Sequence, residues 1–404
     1  MIARLILSAG VDRAALPLLT ARALRAFVDG YVAVLLPAYL LALGFGVWEV
    51  GLISTATLLG SALATLAVGA WGHRFHHRHL LLAAALLMAA TGLGFASLSA
   101  FWPLLLVAFA GTLNPSSGDV SVFLPLEHAR LAEAAQGDAR TALFARYSLT
   151  GALCAALGAL AAAVPDWLVA SFAIDRLDAL RSLFAVYALV GIAVWLLYQR
   201  LPQPQPHEQP APPAPLGPSR GVVTRLAALF AIDAFAGGLV VNSLLALWLF
   251  ERFGLSLTAA GAFFFWAGLL TAISQLAAPW VAGRIGLINT MVFTHIPANV
   301  CLILAALAQS LPVALGLLLL RSALSQMDVP TRSAFVMAVV TPPERAAASF
   351  TAVPRSLASA FSPSLGGAMF AAGWLAAPLV ACGLLKIAYD LALWSAFRKV
   401  KPGR

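Results

Sequence analysis

The chain alternates long apolar stretches with short turns that are polar or contain glycine or proline. Each stretch is about 20 residues long, the length at which an α-helix crosses a bilayer core of roughly 30 Å. The pattern predicts an all-α membrane protein with twelve spanning helices. Their predicted bounds are 21–43, 49–71, 79–99, 102–124, 142–164, 181–199, 222–250, 258–281, 288–309, 312–332, 347–371 and 375–397.

The segment from Arg200 to Gly221 separates the two sets of six helices. It carries eight prolines between Pro202 and Pro218. Because proline lacks a backbone N–H and disrupts helices and strands, we expect an extended, solvated linker there. The predicted domains are a first six-helix bundle (1–199), the linker (200–221) and a second six-helix bundle (222–404).

Several residues of the first half recur in the second half at a nearly constant spacing. A spacing of 210 positions relates Gly44 to Gly254, Gly51 to Gly261, and Arg74 to Arg284. A spacing of 209 positions relates Asp119 to Asp328 and Arg146 to Arg355. The repeat predicts two related bundles. Because 27 residues separate Asp119 from Arg146, and likewise Asp328 from Arg355, the spacing predicts an ion pair within each helical hairpin.

The composition excludes an ordinary soluble domain, because 61% of the residues are hydrophobic and 10% are charged, whereas soluble domains carry roughly 25% charged residues. No short apolar core with a small-residue cleavage site opens the chain, so no removable signal peptide is expected. The three cysteines lie in apolar stretches without paired spacing, which argues against disulfides and zinc. Nucleotide-binding glycine loops, H-E-x-x-H and nucleophile elbows are also missing, so the sequence predicts no cofactor, no metal and no enzymatic activity.

The net charge of +9 is unevenly distributed along the chain. If the linker is cytoplasmic, both termini are cytoplasmic too, and most Lys and Arg fall on that side. The predicted external loops carry few basic residues, namely Arg176, Arg181 and Arg252. This asymmetry is the positive-inside rule, so the charge requires no nucleic-acid partner. We expect a multi-pass protein of the inner or plasma membrane with both termini in the cytoplasm.

Charged residues inside the predicted spans are candidates for function, because a charge at mid-bilayer costs about 2.5–3.5 kcal/mol on an insertion scale. Helix 1 carries Arg25, expected to extend towards the headgroups, and Asp29 one turn deeper. Asp233 on helix 7 stands at the repeat position of Arg25. Lys386 and Asp390 lie one turn apart on helix 12, which predicts an ion pair within that helix.

The turn after predicted helix 2, residues 69–81, reads GAWGHRFHHRHLL. It keeps Gly69, Arg74, Arg78 and Leu81 of a G-x-x-x-D-R-x-G-R-R-x-x-L motif, and His73 replaces the acidic residue. The turn therefore resembles the one that the major facilitator superfamily has at this place. The matching turn after helix 8, PWVAGRIG, keeps Arg284. Residues 114–128 resemble a subgroup whose substrates are unknown. Residues 151–164 lack the G-P-x-x-G-G signature of many drug–proton antiporters, which disfavours drug export.

The resemblance implies that helices 1, 4, 7 and 10 line a central cavity. The residues expected to contact substrate or protons there are Asp29, Asn114, Asp233, Asn242, Arg321 and Gln326. The residues expected to form a cytoplasmic gate are Arg74, Arg78, Asp119, Arg146, Arg284, Asp328 and Arg355. For each of them, a purely structural role that ties helices together is the alternative.

The sequence thus predicts a monomeric secondary active transporter. It moves a small organic solute through the lipid bilayer by alternating access, with proton coupling through Asp29 or Asp233. Two alternatives stay open at this point: an efflux antiporter for drugs or toxic compounds, and a membrane-embedded enzyme that acts on lipid-linked substrates. Metal binding by the histidines between His73 and His79 is a further open alternative.

Overall fold

A computed structural model describes residues 12, 15–116, 121–202, 217, 219–340 and 352–398. Within these residues the chain forms sixteen α-helices. The first half contains α1 (Ala15–Ala42), α2 (Val47–Trp71), α3 (His77–Ser97), α4 (Phe101–Ala110), α5 (Phe123–Ala134), α6 (Gly137–Ala161), α7 (Val164–Phe172) and α8 (Arg176–Gln199). The second half contains α9 (Arg220–Gly238), α10 (Asn242–Phe253), α11 (Leu257–Ile285), α12 (Leu287–Leu307), α13 (Leu311–Leu324), α14 (Asp328–Val339), α15 (Ala352–Ala371) and α16 (Ala377–Phe397).

Each of the twelve predicted spans corresponds to one helix or to two consecutive helices. Ten helical stretches in the described residues are long and apolar enough to cross a membrane. The pair α4–α5 and helix α15 account for the other two spans. The two ends of the bundle are called the linker side, where α8 ends and α9 begins, and the opposite side.

Three predicted spans are not continuous helices. Span 4 is interrupted between α4 and α5, where Pro115 removes a backbone donor. Span 7 is interrupted after Gly237 and Gly238, which have low helix propensity. Span 10 is interrupted before Asp328, where α14 starts with an acidic residue in its first turn. A short helix, α7, occupies part of a segment that the sequence predicted as an external loop.

The repeated glycines have structural roles at corresponding places. Gly44 and Gly254 adopt φ angles of +86° and +60° after α1 and α10, a region that residues with a Cβ rarely occupy. Gly51 on α2 faces Gly367 on α15, where an added Cβ would lie 2.9 Å from the Gly367 Cα. Gly261 on α11 likewise meets the backbone of α6. The lack of a side chain at Gly51 and Gly261 therefore permits close approach between the two halves.

Helices of the two halves pack in two main pairs, α2 with α15 and α6 with α11, and α10 of the second half also packs against α1. Within the first half α1 packs on α6 and α8, and within the second half α16 packs on α9 and α12. Exposed tryptophans mark both ends of the spans: Trp102 and Trp374 on the opposite side, Trp71 and Trp280 on the linker side. Such aromatic residues are typical of membrane–water interfaces.

The predicted linker lies almost entirely outside the described residues, as does Asp119. The division into two bundles at 200–221, the cytoplasmic position of the linker and the side of the termini therefore stay predictions.

Candidate functional site

Among the described residues of the first half, one acidic side chain is buried, and it has three partners. Glu127 on α5 forms an ion pair with Arg25 on α1, and both side chains are almost fully buried. Its carboxylate also accepts hydrogen bonds from the hydroxyls of Tyr147 (2.5 Å) and Tyr198 (2.6 Å). The guanidinium carbon of Arg25 lies 4.1 Å from the centre of the Phe123 ring. Arg25 is therefore held inside the bundle, and the prediction that it extends to the headgroups is wrong.

Asp29 lies one turn from Arg25 on α1 and is partly exposed. Among the described residues it forms no ion pair and no hydrogen bond, although Arg25 and Arg22 both act on its charge. The guanidinium of Arg22 stacks over Tyr147, with the guanidinium carbon 5.1 Å from the ring centre. A carboxylate that is close to cations, but paired with none of them, can take up and release a proton.

The second half contains a larger charged network, which we call the second-half cluster: Asp233, His295, Asp328, Arg332, Lys386 and Asp390. Asp233 on α9 binds the Lys386 ammonium at 2.5 Å and the Arg332 guanidinium at 3.3 Å. Arg332 also pairs with Asp328 on its own helix. Asp233, which the sequence predicts as a cavity residue, thus belongs to a network of ion pairs that the sequence did not predict.

Asp390 on α16 binds a residue on α12. Both of its carboxylate oxygens lie 3.0 Å from His295 Nδ1, and both residues are buried. The predicted pair between Lys386 and Asp390 is therefore absent from this structure. The spacing along α16 allows that pair, but each residue finds a partner on a neighbouring helix at hydrogen-bond distance.

The predicted hairpin pair in the second half is also not formed. Asp328 pairs with Arg332, one turn away on α14, instead of Arg355 on α15. Arg355 is exposed, and no described residue forms an ion pair with it. The corresponding pair in the first half stays a prediction, because Asp119 lies outside the described residues and Arg146 is partly buried on α6.

The other predicted gate residues are bound within their own halves or exposed. Arg78 donates a hydrogen bond to the Gln199 carbonyl at 2.7 Å, which joins α3 to α8. Arg284 stacks on Trp280 of the same helix, with its guanidinium carbon 3.8 Å from the ring centre. Arg74 is exposed at the end of α2. The bonds seen here do not link these arginines across the two halves.

The breaks in spans 4 and 7 meet each other near the middle of the molecule. Asn114 is buried, and its side-chain oxygen accepts hydrogen bonds from the backbone N–H (3.1 Å) and the hydroxyl (2.7 Å) of Ser116. Pro115 lies between Asn114 and Ser116 in the chain, and its carbonyl accepts a hydrogen bond from the backbone N–H of Ser243 at 3.0 Å. Asn242 is the neighbouring residue, at the start of α10. The structure thus brings the segments that carry two predicted cavity residues together, whereas the other candidates lie elsewhere.

Arg321 and Gln326 belong to span 10. Arg321 on α13 is partly buried, and its helix packs against α11 and α12 of the same half. Gln326 lies in the turn between α13 and α14 and is partly buried. Among the described residues, no hydrogen bond or ion pair joins either residue to the breaks in spans 4 and 7.

Hydrogen bonds between the two halves occur in the middle of the spans and on the opposite side. The hydroxyls of Ser54 on α2 and Ser243 on α10 lie 3.0 Å apart. The backbone N–H of Ser364 donates to the Thr55 hydroxyl at 2.8 Å. Across the opposite-side loops, Asp166 on α7 accepts the backbone N–H (3.2 Å) and the hydroxyl (2.8 Å) of Thr258 on α11.

Helices α2, α11 and α15 are exposed or half-buried towards the linker side. Residues 63–71 of α2, 279–285 of α11 and 352–359 of α15 include no buried residue. Near Gly51 and Gly367, α2 and α15 touch, so these helices join the two halves on the opposite side.

Four residues of the site were missed by the sequence analysis: Glu127, His295, Arg332 and Lys386 as a partner of Asp233. Glu127 lies at the end of the stretch 114–128, whose resemblance to other proteins was a signal. His295 is the one histidine of its span, which otherwise carries only uncharged polar residues such as Thr294 and Asn299. Arg332 gave no repeat signal, because position 123 in the first half is Phe123.

The chain matches the Major Facilitator Superfamily over residues 18–353. It therefore belongs to this family, and it is a multi-pass membrane transporter, not an enzyme. A relative from Saccharomyces cerevisiae, the uncharacterized membrane protein YJR124C, is 24% identical over an alignment of 354 positions that covers 79% of this chain and 79% of the relative.

Solved structures of transporters share the fold at low identity. A bacterial homologue of the human lysosomal transporter Spinster, inward-facing and occupied, has a TM-score of 0.74 at 16% identity, covering 96% of this chain and 98% of its own. The nucleoside transporter NupG has a TM-score of 0.71 at 14% identity, covering 96% and 100%. A D-xylose–proton symporter has a TM-score of 0.71 at 16% identity, covering 94% and 97%. At these identities the likeness supports the fold alone.

Proposed function

We propose that the protein is a secondary active transporter that moves a small organic solute across the inner or plasma membrane by alternating access. The observation that carries the proposal is the distribution of contacts between the halves. The halves touch at Gly51, Ser54 and Asp166, in the middle of the spans and on the opposite side. Towards the linker side, α2, α11 and α15 have stretches with no buried residue. Rocking of the halves about the middle of the spans would exchange these two arrangements.

We assign proton coupling to Asp29. Its carboxylate is partly exposed, lies one turn from the buried Arg25 and has no partner among the described residues. A change in solvation as the halves move would change its proton affinity, which links proton binding to the transport cycle. The structural neighbours include a proton symporter, in keeping with this assignment.

We place the solute between the breaks of spans 4 and 7. Discontinuous spans offer backbone and side-chain polar groups in the middle of the membrane, where transporters bind their substrates. Asn114 and Asn242 flank the hydrogen bond between Pro115 and Ser243, and Gln326 lies in the break of span 10. Asp233 and Arg321 would act from within the second half, because their neighbours belong to it.

The test is transport by purified protein in liposomes, with a panel of neutral, acidic and basic organic solutes. We expect accumulation of one class that depends on a pH gradient. Asp29→Asn should abolish accumulation against a gradient but spare exchange of solute, because the carboxylate is needed for coupling. The control is Asp178→Asn, which alters an exposed aspartate on the opposite side.

Two results would contradict parts of the proposal. Accumulation that is unchanged in Asp29→Asn would remove that residue from coupling. Transport that only expels drug-like compounds from the linker side would replace solute accumulation with the efflux antiporter. Flux of no solute in either direction, from folded protein, would overturn secondary transport itself.

A further inference from the structure

The second-half cluster has an arrangement of charges that one proton can change. Asp233, Asp328, Arg332 and Lys386 together carry two negative and two positive charges, which cancel. The remaining pair, His295 and Asp390, is neutral when the imidazole is protonated and carries one negative charge when it is not. Histidine is the side chain that ordinarily changes charge between about pH 5 and 8.

Lys386 has two acidic residues within its reach. It binds Asp233 on α9 at 2.5 Å in this structure. Asp390 lies four residues further along α16, a spacing that places Cβ atoms about 5–6 Å apart on the same helical face. In this structure the Asp390 carboxylate binds His295. The charges of Asp233 and Lys386 both act on Asp390, so the three residues form one electrostatic unit.

Among the described residues, His295 is the only histidine on its own helix and on the helices packed against it. The ionisable residues on those packed helices are Cys382, Lys386, Tyr389 and Asp390 on α16, Arg321 on α13, Asp328 and Arg332 on α14, and Arg284 on α11, and α12 itself also carries Cys301. Asp233 on α9 lies behind α16 and also interacts with His295. Arg284 stacks on Trp280 near the end of its helix. His295 is thus the one histidine of this cluster, and its Nδ1 lies on the Asp390 carboxylate.

We propose that His295 and Asp390 form a proton-binding site that selects the partner of Lys386. When the imidazole is protonated, it neutralises Asp390, and Lys386 stays on Asp233, as in this structure. When the proton leaves to water, Asp390 is uncompensated and draws Lys386 away from Asp233. The ion pair between α9 and α16 is then replaced by one within α16, the pair that the sequence predicts.

This inference deepens the proposed function, on which its link to transport rests. Because α9 contributes to the predicted central cavity, loss of its ion pair to α16 would loosen the wall of the solute site at the moment of proton release. The chemical step is simple: the imidazole exchanges one proton with water and changes its charge by one, and no other bond is formed or broken.

The experiment measures the distance between α9 and α16 as a function of pH, without any solute. Spin labels are attached at Thr224→Cys and Ser395→Cys, both exposed near the linker side. The background replaces Cys154, Cys301 and Cys382 with alanine. Between pH 5 and 8 we expect the unaltered cluster to shift between two distances with the profile of a single proton.

Two variants of the same hydrogen-bonded pair should have opposite effects. Asp390→Asn removes the second acceptor, so Lys386 stays on Asp233 and the low-pH distance persists at all pH values. His295→Gln leaves Asp390 uncompensated, so the high-pH distance persists. A merely structural pair would instead give the same disturbance in both variants. His79→Gln, at an exposed histidine of the first half, should leave the shift intact.

The proposal is overturned if the unaltered cluster shows no shift, if the shift survives in both variants, or if the variants resemble each other. Should either variant fail to fold, Lys386→Met removes the moving cation and must abolish the shift. These readouts require no transport. Failure here with pH-coupled flux intact would reject the switch alone, whereas absent flux with an intact shift would reject the proposed function.

Discussion

The two halves of this protein carry charges of opposite sign at one repeated position, Arg25 in the first half and Asp233 in the second. In the first half, Arg25 on α1 stacks on Phe123 of α5. At the corresponding positions of the second half, Asp233 on α9 pairs with Arg332 on α14. The backbone framework is repeated, since the glycines at 44 and 51 keep their roles at 254 and 261, but the sign of the buried charge is reversed.

The reversal gives the halves different electrostatic properties. Glu127 in the first half binds a cation and two tyrosine hydroxyls, which use three of the about four acceptor positions of a carboxylate, so its hydrogen-bonding capacity is nearly filled and the group is held in one arrangement. In the second half Asp233 shares Arg332 and also binds Lys386, whose own helix offers Asp390 as another partner. A filled site favours rigidity, and a site with competing partners permits exchange. We infer a fixed first half and a switchable second half.

The largest effect should follow from removing the filled site. Glu127→Ala leaves Arg25 buried without a carboxylate, and breaking a buried ion pair costs about 3–5 kcal/mol. The measurement is thermal unfolding of the detergent-purified protein. Glu133→Ala, which removes the partly exposed partner of Arg130, should cost less than about 1 kcal/mol. Equal losses in the two variants would mean that the first half is not held by this site.

The next effect tests the corrected pairing of Asp328. In a double-mutant cycle, Asp328→Ala and Arg332→Ala should be coupled by about 1–3 kcal/mol, as residues in direct contact are. Asp328→Ala and Arg355→Ala should couple by less than about 0.5 kcal/mol, because the two side chains do not pair. The free energy of unfolding supplies both numbers. Stronger coupling to Arg355 would restore the hairpin pair that the repeat predicts.

The helices could be predicted from the sequence, whereas most of the charge partners could not. Apolar length is a local property, so all twelve spans were found, and Pro115 gives a local reason for one of the breaks. Arg25 and Glu127 are 102 residues apart in the chain, and Asp233 and Lys386 are 153 apart. Which of several charges meet at such separations depends on how the helices pack.

Sequence symmetry also misled the pairing for a physical reason. It matched Arg355 to Arg146 and so favoured Arg355 as the partner of Asp328. Arg332 had no basic counterpart in the first half and was passed over, although it lies one turn from Asp328. A local pair on one helix needs no agreement between repeats, so spacing within the helix was the better guide here.

A smaller effect concerns the glycine contacts between the halves. Gly51→Leu adds a side chain at a position where even a Cβ atom would lie 2.9 Å from the Gly367 Cα. The opposite side should therefore no longer close fully. We expect a several-fold increase in the labelling of a cysteine placed at Thr55, near this contact. Gly283→Leu, where nothing lies within 4 Å of an added Cβ, is the matched control and should leave labelling unchanged. Unchanged labelling in both variants would show that α2 and α15 do not close this side.

The smallest effect concerns the hydrogen bonds between Asp166 and Thr258, which join the halves through their loops. The carboxylate receives both the backbone N–H and the hydroxyl at the start of α11, where the helix dipole also favours negative charge. The site is exposed, so Asp166→Ala should weaken closure by about 0.5–1.5 kcal/mol. That corresponds to a roughly two- to tenfold larger population open on the opposite side. Distances between labels on α7 and α11 would measure it, with Asp175→Ala as the control, because Asp175 caps its own helix at Leu177. If Asp166→Ala opens this side no more than Asp175→Ala does, closure depends on the buried contacts at Gly51 and Ser54, and the loops only follow the halves to which they belong.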